Sequence, residues 1–123
     1  MKVEQVDFVS VPARDSARAV AWYRDVLGLP ASEFSEGEIE TSNLTLSFWL
    51  PEEQGEPFTP NENGIALRVA DVAGAVDEVR TAGGEVMGIE DSGVCHMGFV
   101  KDPDGNVLIL HRRYAPKVRR GEG

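Results

Sequence analysis

Cysteine, basic charge and long apolar runs are all scarce in this 123-residue chain. A single cysteine, Cys95, excludes an internal disulfide and a CxxC metal knuckle. Only 12 Lys and Arg stand against 21 Asp and Glu, a net charge of −9. A surface of that sign repels phosphate backbones, so no nucleic acid is expected as a partner. No stretch approaches the roughly 18 apolar residues that span a bilayer. The N-terminal MKVEQVDFVSV lacks the charged start and apolar run of a signal peptide. The expectation is therefore a cytoplasmic protein with no membrane partner. What is present is an ordinary 41% of hydrophobic residues, enough for one globular core.

The chain reads as a strand over Val6–Val11, then a helix capped by Asp15 whose apolar face is Ala19, Val20, Tyr23, Val26 and Leu27. Gly28 ends it, since glycine accepts a left-handed conformation without strain. Two alternating runs flank Ser42–Asn43 and predict a hairpin. A segment rich in Pro, Glu and Asn follows, and then the pattern begins again. Gly64–Val69 reads as a strand, and Asp71 caps a helix with Val72, Ala75, Val76 and Val79 on one face. Gly83–Gly84 closes that helix, Glu85–Met87 is a short strand, and two further strands flank the turn Asp102–Gly105. Asp15 overlays Asp71, Arg24 overlays Arg80 and Gly28 overlays Gly84, each pair 56 positions apart. That spacing predicts an internal duplication. The fold class is α+β, built from two strand–helix–strands units. The expected organisation is one domain over residues 1–116. Its first module covers about 1–51, a linker 52–62 and a second module about 63–114, with a basic flexible tail at 117–123.

VDFVSVPARDSARAVAWYRDVLGL, followed later by FVKDPDGNVLIL, resembles the vicinal oxygen chelate superfamily, which includes glyoxalases, bleomycin-resistance proteins and extradiol dioxygenases. The anchors are Asp15, the helix end Trp22–Leu29 and Asp102–Asn106. The resemblance implies two βαβββ modules whose mixed sheet curls around a central cavity, and a homodimer. In metal-dependent members, four side chains in that cavity hold one divalent ion. The corresponding positions here are Phe8, Gly64, one at or next to Ser47 and, five residues after Gly105, Leu110. None carries an imidazole or a carboxylate, so neither a metal site nor a cofactor is expected.

Strand alternation then assigns the cavity face. If Ser47 faces inward, so do Thr45 and Trp49, and pairing across Ser42–Asn43 adds Glu38 and Glu40. If Leu110 faces inward, so do Leu108 and Arg112, and with them His96, Gly98 and Val100. The first strands add Phe8, Ser10, Ala66 and Arg68. The expected substrate-binding set is Phe8, Ser10, Ser47, Trp49, Arg68, His96, Leu108, Leu110 and Arg112. Aromatic walls with a few polar groups suit a small-molecule ligand.

Three functions are compatible with this set. The first is metal-free binding of a small organic molecule, with acidic charge favouring cations. The second is a small-molecule enzyme of lyase, isomerase or dioxygenase type, in which His96 with Glu38 or Glu40 does acid–base work or forms a non-standard metal site. The third is a structural module whose cavity is filled by its own side chains.

Overall fold

A computed structural model describes residues 1–121. The last two positions of the expected basic tail, 122 and 123, lie outside the described residues. The elements in chain order are β1 (Phe8–Pro12), α1 (Ser16–Asp25), β2 (Glu38–Glu40), β3 (Thr45–Trp49), a 3-10 turn (Pro51–Gln54), β4 (Ile65–Arg68), α2 (Val72–Thr81), β5 (Glu85–Asp91), β6 (Cys95–Lys101) and β7 (Val107–Arg113). No helix is long and apolar enough to cross a membrane among the described residues.

Residues pack as two compact units. The first is Met1–Asn63 together with Asp102–Val107, and the second is Gly64–Lys101 with the chain from Leu108 onward. The strand order of the first is β1-β3-β2, and Ala31 adds a single antiparallel bridge to Ile39 on β2. The second has the order β4-β7-β6-β5. In each, the first strand pairs parallel with the last, while β2–β3 and β5–β6 are antiparallel. The duplication is therefore visible as topology: β5 is a full strand where the first unit keeps only the Ala31 bridge.

Both helices start as the sequence dictates. The Asp15 carboxylate accepts from the Arg18 amide, and Asp71 accepts from the Gly74 amide. The left-handed glycines that follow them differ by one position. Gly28 is left-handed at φ 71°, but the left-handed glycine after α2 is Gly83 at φ 82°, so Gly84 is not the counterpart of Gly28. Both helices are ten residues long, and the chain turns away from α2 one position sooner, where the Gly83 amide bonds back to the Arg80 carbonyl.

In the first unit the β2–β3 register pairs Glu38 with Ser47, Ile39 with Leu46 and Glu40 with Thr45, as the hairpin reading requires. Ile39, Leu46, Phe48 and Val11 are buried under α1 with Tyr23 and Ala19. Their alternates Phe8, Ser10, Thr45, Ser47 and Trp49 form the uncovered face.

A polar cluster is sealed into the same unit. The Asp102 carboxylate accepts from the Tyr23 hydroxyl (2.8 Å), the Asn106 side-chain amide (2.8 Å) and the backbone amides of Asp104 (2.8 Å) and Asn106 (3.0 Å). Asn106 also donates to the Pro12 carbonyl and accepts from the Asn61 amide, both at 2.8 Å. Asp102 and Asn106 are 5% and 1% exposed, so these bonds are shielded from water. Burial, with the adjacent Asp102 carboxylate, drives the Tyr23 phenol far above its ordinary pKa. Burial beside Asp102 likewise raises the Asp104 carboxyl. The loop read as a plain hairpin turn is thus a polar plug. It joins the helix anchor Tyr23 to the turn anchor Asp102.

Candidate functional site

Each sheet has one face under its helix and one face that no helix of its unit covers. On the first unit this open face carries three rows set by the register. Phe8, Thr45 and Glu40 form one, Ser10, Ser47 and Glu38 the next, and Trp49 ends the third. Phe8 is 56% exposed and Trp49 42%, while Glu38 and Glu40 are half-buried. The Thr45 hydroxyl donates to the Glu40 carboxylate at 2.7 Å, fixing that side chain. Two aromatic surfaces at opposite corners thus bracket three hydroxyls and two carboxylates. The structure brings together all of the expected residues of this module.

The second unit overturns half of its expected face. Leu108 and Leu110 are 0% and 2% exposed and belong to the core. A Cβ built on Gly98 would lie 2.4 Å from Val76 Cγ2, 3.3 Å from Val72 Cγ1 and 3.8 Å from the Leu110 Cβ. Gly98, Val100, Leu108 and Leu110 therefore face α2, the reverse of the inward orientation expected for them. The register agrees, because Leu67 on β4 pairs with Leu110 and Ile65 with Leu108. The reason is packing: α2 presents Val72, Val76 and Val79, and the even-numbered residues of β6 and β7 fill the space against them.

The residues on the open face are consequently Cys95, Met97 and Phe99 on β6, and Ile109, His111 and Arg113 on β7. Arg68 pairs with His111 and Ala66 with Ile109, so both keep the orientation expected of them. On the edge strand, Glu90 pairs with Met97 and Gly88 with Phe99. Met97, Phe99, Ile109 and His111 were missed from the sequence. The available signal was Ala66 and Arg68, which alternate with Ile65 and Leu67 and fix the sidedness of the neighbouring β7.

Arg112 is exposed and, by alternation, on the α2 side of its sheet. His96 is on that side too, at the open end of β6. Its Nε2 lies 3.5 Å from the Asp91 carboxylate, and its ring stacks on Tyr114 with centroids 4.6 Å apart. The Tyr114 hydroxyl donates to the same carboxylate at 2.8 Å. The Gly93 amide, then the Tyr114 hydroxyl, hold the Asp91 carboxyl below its ordinary pKa. The partner the structure gives His96 is therefore Asp91, which sequence reasoning did not single out.

Among the described residues, no three His, Cys, Asp or Glu side chains converge into a group able to hold a metal ion. A hydrophobic face with sparse polar groups can bind an organic molecule by contact and hydrogen bonding.

Comparison with known proteins places this geometry. The model of the Glyoxalase/Bleomycin resistance protein/Dioxygenase superfamily matches residues 5–110. The chain belongs to that superfamily. A probable lactoylglutathione lyase from Vibrio parahaemolyticus is 27% identical over 112 residues, covering 78% of this chain and 81% of the relative. Among solved structures, TnmS3, an antibiotic binding protein from Streptomyces sp. CB03234, superposes with a TM-score of 0.76 at 22% identity, over 92% of this chain and 98% of its own. A superfamily member from Sphaerobacter thermophilus gives a TM-score of 0.74 at 18% identity, over 89% and 97%. These superpositions show the superfamily fold for this chain, two helices on open mixed sheets of three and four strands.

Proposed function

We propose that this protein binds a small organic molecule on the open faces of its sheets, without the metal chelation used by parts of its superfamily. The observation that carries the reading is the first unit's face, where exposed Phe8 and Trp49 bracket Ser10, Thr45, Ser47, Glu38 and Glu40. Large aromatic surface left in water is unfavourable and commonly marks a binding surface. The net charge of −9 favours a cationic group at the two carboxylates. The chemistry of the donor set supports the metal-free part. Phe8, Gly64 and Ser47 offer no imidazole or carboxylate, and Leu110 is turned to α2. The antibiotic-binding relative is consistent with this reading.

Trp49 makes the proposal measurable. A Trp22→Phe variant leaves Trp49 as the sole indole among the 2 tryptophans, and its emission is titrated with aromatic and cationic compounds. The expected result is saturable quenching. Trp49→Ala, followed by calorimetry, weakens the same compound about tenfold, the ~1.4 kcal/mol scale of an aromatic contact. Equal affinity in Trp49→Ala, or no response from any compound, sinks the reading.

His96 beside Asp91 supports a second reading, since a histidine oriented by a carboxylate can serve as a general base. The activity to test is that of the lyase relative. Our expectation is lactoylglutathione formation at the uncatalysed rate, with or without added nickel or zinc. Turnover abolished by His96→Ala would replace the binding reading with an enzymatic one. The homodimer implied by the resemblance belongs to the same proposal, and analytical ultracentrifugation reads it as one chain mass or two.

A further inference from the structure

The second unit's open face differs in sign from the first. Its centre is apolar: Ala66 pairs with Ile109 and Gly88 with Phe99, and the contact of Gly98 with Leu110 sets β6 beside β7 so that the four form one row. At one end of that row lie three basic side chains. Arg68 and His111 are register partners, and Arg113 follows His111 by two residues on the same strand face.

The other basic side chains on the unit's strands and helix are matched by acids, apart from Arg112, which lies on the α2 side. Lys101 is matched by Glu85 at 3.3 Å, Arg80 by Asp77 at 2.8 Å and His96 by Asp91 at 3.5 Å. No ion pair involves Arg68, His111 or Arg113 among the described residues. Glu90 shares the face, but it stands on the edge strand beyond Met97. The Arg113 Nε is buried and has no hydrogen-bond partner, while its Nη2 donates to the Pro116 carbonyl at 3.1 Å. The Arg113 guanidinium thus has no carboxylate partner, and a charge-assisted bond to an incoming anion is stronger than one to a neutral acceptor.

We infer that this face receives a small apolar molecule carrying a carboxylate, its body over Phe99 and Ile109 and its anion among Arg68, His111 and Arg113. The inference rests on the small-molecule reading above and assigns a chemical class to the ligand of the second unit's face. It also places a cation-lined end in a protein whose net charge alone points to cationic ligands.

The test compares three probes of one shape: 2-naphthoate, neutral 2-naphthamide and 2-naphthylmethylammonium. Each is titrated into isotopically labelled full chain and followed by nitrogen–proton and side-chain NMR. Naphthoate is expected to bind about tenfold tighter than naphthamide, with the largest shifts at Met97, Phe99, Ile109 and His111. Arg113→Gln and Arg68→Gln each weaken naphthoate about five- to tenfold and leave naphthamide unchanged. Both positions are on the surface side of the sheet, and a dispersed spectrum confirms that each variant is folded. Equal binding of naphthoate and naphthamide at Phe99 overturns the anion inference and leaves small-molecule binding standing. So does tightest binding of the ammonium probe, or shifts confined to Phe8 and Trp49. No binding by any of the three overturns both.

Discussion

Asp102→Ala is expected to be the most damaging single substitution in the chain, at about 3–5 kcal/mol. The carboxylate is the acceptor for four donors: the Tyr23 hydroxyl, the Asn106 side chain and two backbone amides. Alanine removes all four bonds, leaving the Tyr23 hydroxyl and the two amides without a partner and Asn106 with only the Pro12 carbonyl, in a site that is 5% exposed at Asp102 itself. Each orphaned buried donor costs about 1–3 kcal/mol, and sharing within the network keeps the total below the simple sum. Domains of this size hold only about 5–15 kcal/mol in all, so the urea midpoint falls by roughly 2 M. Tyr23→Phe removes one donor and keeps the ring against Phe48, 4.9 Å away centroid to centroid. Its expected cost is about 1–2 kcal/mol. A double-mutant cycle between the two positions gives a coupling of the same size. An Asp102→Ala midpoint within error of the parent would refute the polar plug.

Gly98→Ala is expected to destabilise by about 1–3 kcal/mol, the usual range for overpacking a filled core. The new methyl would meet Val76 Cγ2 at 2.4 Å. Val76 is a β-branched helix residue with essentially one accessible rotamer, so it cannot swing aside. The backbone of β6 or α2 must move instead. Val76→Ala alone opens a cavity and also destabilises. Combined, the two substitutions exchange volume across the contact, so the double variant should be more stable than the sum of the single effects. Thermal or urea unfolding of the four proteins decides it. Additive effects would mean that Gly98 does not point at α2, and the assignment of the open face would fall with it.

That contact also marks where the sequence stops being readable. The β2–β3 register was legible because Leu46 and Phe48 alternate with Thr45 and Ser47, leaving one way to bury the apolar side. In β7 the run Val107–Leu110 is apolar at every position, so alternation carries no information there. Sidedness in β7 is set by its parallel neighbour β4 and by the valines of α2, both remote in sequence. Choosing the position five residues after Gly105 therefore gave Leu110 where the open face holds Ile109 and His111. The helix caps Asp15 and Asp71 were legible because capping is local. The role of Asp102 was not, because a buried carboxylate and a surface turn share the same four letters until Tyr23 and Asn61 are brought to the loop.

The membership of residues 102–107 in the first unit has a consequence for how the chain matures. A ribosome emits the polypeptide from its N-terminus, so the first 63 residues emerge while the acceptor for Tyr23 is still unmade. Their core stays short of its last component until most of the second repeat has been translated. The half that is born first is thus completed only near the end of synthesis. Cutting the gene at the repeat boundary would yield an N-terminal fragment that has its own helix and strands but lacks the piece that seals them.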